Sequence, residues 1–360
     1  MRLLVTGGAG FIGSHFVRYM LERYPGYRII NLDKLTYAGN RDNFQEIARH
    51  PRHRFVKGDI CNRPLVARLA ARVDAIVNFA AETHVDRSID RPASFLQTDI
   101  IGTSVLLDAA RRAGHTRYIQ ISTDEVYGSI EQGSVDETAP LRPGNPYSAS
   151  KAGADLLAQA YGRTYGLPVL ISRCSNNYGP NQYPEKLIPL CITNALEGLP
   201  LPIYGDGQYR RDWIYVVDHC RAIDALLHHG IPGSVYNIGG GHELANVDVV
   251  QRIADTLKIP AAKIHFVSDR PGHDRRYAVN DDKLRRLGYR PVTSFDDGLA
   301  ETIRWYQEHR AWWGKIRAGA FRRYYQEHYN DSNGKKRAAA KAADRRVRVN
   351  QSVRRVDRRA

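Results

Sequence analysis

Arg2-Leu3-Leu4-Val5-Thr6-Gly7-Gly8-Ala9-Gly10-Phe11-Ile12-Gly13 decides how the rest of the chain is read. A short apolar run feeds straight into a glycine turn, and Ser14 to Arg23 then places Phe16, Val17, Met20 and Leu21 on one side at helical spacing. A second apolar run, Tyr27 to Leu32, ends on Asp33. Strand, glycine turn, helix, strand and acid together form a dinucleotide fingerprint. Gly8 and Gly10 let backbone approach a pyrophosphate, Gly13 lets the helix sit against the strand, and the helix N-terminus offers unpaired N–H groups. Asp33, twenty residues beyond Gly13, suits a ribose 2′-hydroxyl and repels a 2′-phosphate. NAD is therefore the expected cofactor.

The alternation continues outward. Arg54 to Val56 reads as a strand leading into Gly58-Asp59-Ile60, where Asp59 can accept from an adenine amino group. Val73 to Phe79 reads as another, ending in Ala80-Ala81-Glu82-Thr83-His84-Val85-Asp86-Arg87-Ser88, whose small residues admit a cofactor. Phe95 to Ala113 reads as a helix and Tyr118 to Ser122 as a strand. Strands separated by helices predict an α/β fold, a Rossmann-like doubly wound parallel sheet with ligands beyond the strands' carboxyl ends. After Leu170 the texture is more polar. Pro184 to Leu201 starts helical and turns at Gly198 to Pro202, and Val247 to Leu257 and Ser294 to Ala311 read as helices. The expected division is a NAD-binding domain over 1–172 with an interleaved boundary, a smaller α/β substrate-binding lobe over 173–330, and a basic disordered tail over 331–360.

Composition bounds the class. The chain has 360 residues, 42% hydrophobic and 25% charged, enough to bury a sizeable core. It has no run of about 18 apolar residues, and its start reads as a strand, so a cytoplasmic enzyme is expected, with no membrane partner. Cys61, Cys174, Cys191 and Cys220 have no C-x-x-C spacing, which suggests buried free thiols and no metal site. The net charge is +15, but eleven Lys/Arg against two Asp/Glu from Gly334 to Ala360 put +9 of it in the tail. That segment contains no Trp, Phe or Tyr to stack on bases. Nucleic acid is not an expected partner beyond non-specific contacts of the tail.

The chemistry is concentrated between Ser122-Thr123-Asp124-Glu125-Val126-Tyr127-Gly128 and Tyr147-Ser148-Ala149-Ser150-Lys151. Tyr147 and Lys151, four apart, share a helix face, and Asn145-Pro146 suits the helix start. An ammonium beside a phenol lowers its pKa and makes Tyr147 a base for an alcohol proton. Asp124 and Glu125 can reach one ligand only where the strand has ended and the backbone turns. Two carboxylates in one enclosed site push their pKa values apart, giving an acid and a base. With a transient ketone nearby, that pair suits elimination of water.

Thr6 to Gly13, Asn78-Phe79-Ala80-Ala81, Ser122-Thr123 and Tyr147 to Lys151 resemble the extended short-chain dehydrogenase/reductase family, which acts on nucleotide-activated sugars. Thr123-Asp124-Glu125 narrows the resemblance to its nucleotide-sugar 4,6-dehydratases. Leu32 to Asn40, His84 to Ser88, Ser175 to Pro180, Glu185 to Pro189, Arg211-Asp212-Trp213 and Asp269 to Asp274 agree. The resemblance covers Met1 to about Tyr329.

It implies a dTDP-hexose substrate and a cycle with no net consumption of NAD. Tyr147 takes the O4 proton as hydride leaves C4, Glu125 removes the C5 proton, Asp124 protonates the departing C6 hydroxyl, and hydride returns to C6. Thr123 bonds O4 and Lys151 supports the tyrosine. The implied cofactor residues are Gly7, Gly10, Phe11, Ile12 and Gly13 at the turn and Asp33, Lys34, Leu35 and Thr36 after the second strand. Asp59, Ile60, Ala80, Ala81, Thr83, Thr98 and Asn177 join them, with Tyr147 and Lys151. The implied sugar-nucleotide residues, besides Thr123, are His84, Asn176, Lys186, Leu187, Pro202, Tyr204, Arg211, Asn246, Arg270 and His273. Arg211 is the expected phosphate clamp and Tyr204 a platform for the pyrimidine. In this family the helices matching Phe95 to Ala113 and Ser148 to Tyr165 pair into a four-helix interface, which implies a homodimer. Still open are a UDP-, CDP- or GDP-sugar dehydratase, an epimerase or decarboxylase of the same family, and a non-catalytic cofactor-sensing regulator.

Overall fold

A computed structural model describes residues 1–319 and Tyr325; the tail expected over 331–360 lies outside the described residues. The first half runs β1 (Arg2–Thr6), α1 (Phe11–Arg23), β2 (Arg28–Asp33), β3 (His53–Lys57), α2 (Arg63–Ala70), β4 (Ala75–Asn78), α3 (Val85–Asp90), α4 (Pro92–Phe95), α5 (Thr103–Ala113), β5 (Arg117–Thr123) and α6 (Pro146–Tyr165). It continues through β6 (Val169–Cys174), β7 (Asn176–Tyr178), α7 (Leu187–Leu196), β8 (Leu201–Tyr204), β9 (Arg210–Tyr215), α8 (Val216–His229) and β10 (Val235–Ile238). Last come β11 (Glu243–Ala245), α9 (Asn246–Thr256), β12 (Ile264–Val267), α10 (Asp282–Arg285), α11 (Phe295–Glu308) and α12 (Arg310–Ala318).

Seven strands form one sheet in the order β10-β6-β5-β4-β1-β2-β3, every pair parallel. Sequence order reverses between β1 and β4, and a ligand cleft opens at such a switch point. Alternation along β1 explains the layering: Leu3 and Val5 pack with Phe16, Val17 and Met20 of α1 and Ile223 and Leu226 of α8. Leu4 faces the opposite layer, with Val66, Leu106 and Tyr118. Because α8 and β10 lie beyond residue 172, the chain enters the second lobe and returns to the sheet. The second lobe has its own core, including Ile192, Trp213, Val250, Ile303 and Trp313. Small sheets β11-β9-β7 and β12-β8 sit there.

Two expected helices are interrupted. Phe95 to Ala113 is not one α-helix: residues Leu96–Gly102 form a π-helical turn between α4 and α5. A Cβ on Gly102 would lie 2.4 Å from Ile60 Cδ1, so this turn is pressed directly onto the loop after β3. Ser294 caps α11 through its side chain, but the chain breaks at His309 (φ −110°, ψ 41°) before α12. Among the described residues no helix is long and apolar enough to cross a membrane.

Candidate active site

The glycine turn is sterically enforced at two positions. Gly7 has φ +71°, and a Cβ there would lie 2.6 Å from the Ala80 nitrogen; one on Gly13 would lie 2.3 Å from the Gly7 oxygen. The N-terminus of α1 has no side-chain cap and no acid in its first turn, which leaves its N–H groups and dipole for an anion. Asp33 is held at the tip of β2 by N–H groups of Ala9 at 2.9 Å and Leu35 at 2.7 Å. Lys34 pairs with Asp59 at 2.7 Å.

At the neighbouring strand end, β5 stops at Thr123 and a 3-10 turn over Asp124–Tyr127 begins, with Thr123 Oγ1 accepting the Glu125 N–H. This turn brings two consecutive carboxylates to one cavity wall. Gly128 ends it at φ +76°, where a Cβ would meet the Arg142 carbonyl oxygen at 2.3 Å. Opposite, Asn145 caps α6 with a reciprocal Asn145–Ser148 pair and Pro146 in the first turn, as the sequence suggests. Tyr147 and Lys151 share the face that meets β5, and Lys151 Nζ donates to the Ile121 carbonyl at 2.6 Å.

A cavity of about 270 Å³ runs along the strand ends. It is lined by every residue expected at the cofactor except Leu35, and by Thr123, Asp124, Glu125, Tyr147 and Lys151. Leu35 has a left-handed backbone (φ 56°) and a side chain packed against the core beneath β1 and β2, which leaves its main chain between the lining residues Lys34 and Thr36. A second cavity of about 130 Å³ is lined by every residue expected at the sugar nucleotide except Thr123, which lies in the first. Glu125, Asn176, Asn177, Gln182, Glu185 and Lys186 line both, so the two form one cleft. Sequence reading missed Glu185, His219 and Tyr277, all on its walls. Glu185 alone carried a signal, as the residue before Lys186 in an already matched motif.

Residues lining the cleft carry buried side-chain polar atoms with no protein partner among the described residues: Ser122 Oγ, Asp124 Oδ2 and Gln182 Oε1 on residues of the first cavity, Asn246 Oδ1, Arg270 Nε and Trp213 Nε1 on residues of the second. Such atoms call for ligand or solvent. With the glycine cradle, the open helix end and Asp33, the first cavity fits a dinucleotide.

Burial pushes the Asp124 carboxyl well above the usual carboxylate range, and Glu125 and Asp212 push it further. Its Oδ1 lies 3.2 Å from Thr123 Oγ1. Burial also raises the Tyr147 phenol well above its ordinary value, reinforced by Glu125, Asp99 and Asp124, with a Thr123 hydrogen bond acting the other way. The expectation that Lys151 lowers this phenol is therefore not met by the protein's own groups. The ammonium is itself pushed down by burial and tied to a backbone carbonyl. Arg211 is anchored by carbonyl oxygens of Arg210 at 2.7 Å and Asp274 at 2.8 Å, which aims the rest of its fork. His273 stacks on Tyr209 at 3.7 Å and binds Asp269 at 2.7 Å; burial lowers its pKa to about 4.

The sequence model of the family described as GDP-mannose 4,6 dehydratase matches residues 4–302. The chain belongs to that 4,6-dehydratase family. Among curated relatives it is 51% identical over 319 residues to a dTDP-glucose 4,6-dehydratase of Actinoplanes sp., covering 87% of this chain and 100% of the relative. It is 46% identical over 358 residues to dTDP-glucose 4,6-dehydratase 1 of Escherichia coli, covering 91% and 99%. Among solved structures it is similar to a dTDP-glucose 4,6-dehydratase from Streptomyces venezuelae with NAD and TYD bound: TM-score 0.86, 55% identity, covering 88% of this chain and 100% of that one.

Proposed function

We infer that this 4,6-dehydratase converts dTDP-glucose to dTDP-4-keto-6-deoxyglucose, by oxidation at C4, loss of water across C5 and C6, and return of hydride to C6. The observation that carries the reading is the 3-10 turn at Asp124–Tyr127, which sets two carboxylates on the cavity wall that also holds Tyr147 and Lys151. An alcohol dehydrogenase or 4-epimerase has no use for that pair.

NAD would be held by the glycine turn, Asp33 and the loops at Asp59 and Ala80, and would supply a reversible hydride acceptor. Tyr147 takes the O4 proton, Thr123 holds the hydroxyl, and Lys151 fixes the tyrosine's face against β5. Once C4 is a ketone, the C5 proton is acidic and Glu125 removes it. Asp124 is the acid for the C6 hydroxyl, its carboxyl pushed well above the usual carboxylate range by burial and by Glu125 and Asp212. Arg211 and Arg270 meet the diphosphate, and Tyr204, 3.1 Å from Asp86 through its hydroxyl, offers its ring to the pyrimidine.

The protein acts as a cytoplasmic homodimer on this reading. Leu96 and Ile101 on the π turn and Leu156 and Tyr165 on α6 are about half exposed, an apolar surface suited to a second copy. The deciding experiment incubates the protein with dTDP-glucose carrying deuterium at C4. The reading requires a product lighter by one water with deuterium at C6, and conversion of UDP-glucose alone would overturn the thymidine assignment.

A further inference from the structure

Three residues in matched stretches remain without a role in that chemistry: Tyr37 in the loop after β2, Arg87 in α3 and Glu185 before α7. In the fold they meet. The Tyr37 hydroxyl lies 2.9 Å from Glu185 Oε1 and 2.5 Å from the Thr83 carbonyl oxygen. Arg87 Nε donates to Glu185 Oε2 at 2.9 Å, and its guanidinium lies 3.8 Å above the Tyr37 ring. Tyr183 adds an edge contact to that ring at 5.2 Å.

The place of this cluster matters. The loop's two ends are fixed to the turn after β1: Asp33 takes the Ala9 N–H at 2.9 Å, and the Asn40 N–H donates to the Ala9 carbonyl at 2.9 Å. Between those ends Lys34, Thr36, Ala38 and Gly39 line the cofactor cavity. Tyr37, in their midst, reaches across to the other wall, where Glu185 lines both cavities. The Glu185 side chain is 1% exposed and its charge is met by Arg87. Burial and Glu185 hold the Tyr37 phenol well above its ordinary pKa, so it stays a donor at any working pH.

We propose that Tyr37, Arg87 and Glu185 form a latch that binds the loop after β2 to the far wall and keeps the dinucleotide in the cleft between the two hydride transfers. The proposal rests on the reaction inferred above, in which the hydride taken from C4 must return to C6 of the same sugar. An ordinary dehydrogenase must release its reduced cofactor each turnover, whereas this chemistry fails if it leaves. A hydrogen bond to a buried carboxylate, desolvated and charge-assisted, is strong enough to govern that release.

The test is the dissociation rate of 1,N6-etheno-NAD from the holoenzyme, chased with excess NAD and followed by fluorescence without any sugar nucleotide. Tyr37→Phe should release it about tenfold faster than wild type, the effect of losing one charge-assisted bond. Glu185→Gln, which keeps the side chain's volume and weakens both contacts, should do the same. Thermal midpoints within about 2 °C of wild type separate lost retention from lost folding. If Tyr37→Phe does not fold, the rate in Glu185→Gln decides. Release within about twofold of wild type in the folded variants would overturn the latch. If wild type retains the dinucleotide yet leaves dTDP-glucose unconverted, the function reading fails, while the release rates still judge the latch.

Discussion

Thr123 Oγ1 accepts the backbone N–H of Glu125 at 3.2 Å, which turns the chain out of β5 just where the two carboxylates follow. Thr123→Ala removes this cap, expected to cost about 1 kcal/mol and, at this chain length, about 1–2 °C of thermal midpoint. It also removes the hydroxyl beside Tyr147, so kcat should fall roughly tenfold or more. Thr123→Ser keeps the oxygen and should recover most of both losses. If Ser and Ala behave alike in calorimetry and turnover, the oxygen is not what shapes this turn.

On the proposed cycle Glu125 and Tyr147 act at different stages, and two variants separate them. Glu125→Gln should still oxidise C4, so bound NADH accumulates by absorbance, while C5 exchange with deuterated solvent stops and turnover drops about 100-fold or more. Tyr147→Phe should give no NADH at all. Normal turnover in the first, or rapid NADH formation in the second, removes that residue from its role.

Asp124 makes a stability prediction with a definite sign. Its folded pKa is raised by burial and by Glu125, so the folded chain binds this proton more tightly than the unfolded one, whose carboxyl titrates near about 3.9. Asp124 therefore costs stability increasingly as pH rises from about 4 toward its folded pKa. Asp124→Asn should unfold at a higher temperature than wild type at neutral pH, with the gap closing near about pH 4. It should also lose about 100-fold or more of its dehydration rate. A gap that widens toward acid would mean that Asp124 is ionised in the folded protein.

Local physics made the nucleotide-binding half legible. The glycine turn, the Asn145-Pro146 cap and the Tyr147–Lys151 spacing each sit within a few residues and leave a direct imprint on sequence. The turn at Asp124 could be inferred because successive strand residues cannot both face one ligand. The π turn at Leu96–Gly102 left no such imprint, since it inserts a residue without breaking apolar periodicity. The return of β10 to the sheet was hidden because Val235–Ile238 is a four-residue run like many others. The Tyr37–Glu185 contact joins residues 148 apart, a distance no periodicity spans. The raised phenol of Tyr147 was missed for another reason: spacing shows Lys151 nearby but not how deeply both are buried.

A buried ion pair holds α6 against the sheet. Arg173 on β6 meets Asp155 on α6 with two bonds, at 2.8 and 3.0 Å, and both side chains are at most 3% exposed. Arg173 also donates to the Tyr127 hydroxyl at 2.7 Å, which donates to Asn237 Oδ1 at 2.8 Å. One chain of contacts thus joins α6, β6, the carboxylate-bearing turn and β10. Asp155→Asn leaves an uncompensated buried guanidinium, expected to cost about 3–5 kcal/mol in denaturant unfolding. Replacing both partners, Asp155→Leu with Arg173→Met, should cost less than the single change because no charge is left buried. The double variant should nonetheless lose activity, since the turn carrying Asp124 and Glu125 no longer has its anchor at Tyr127. A double variant less stable than Asp155→Asn would show that the ion pair's geometry, rather than charge balance, holds α6 in place.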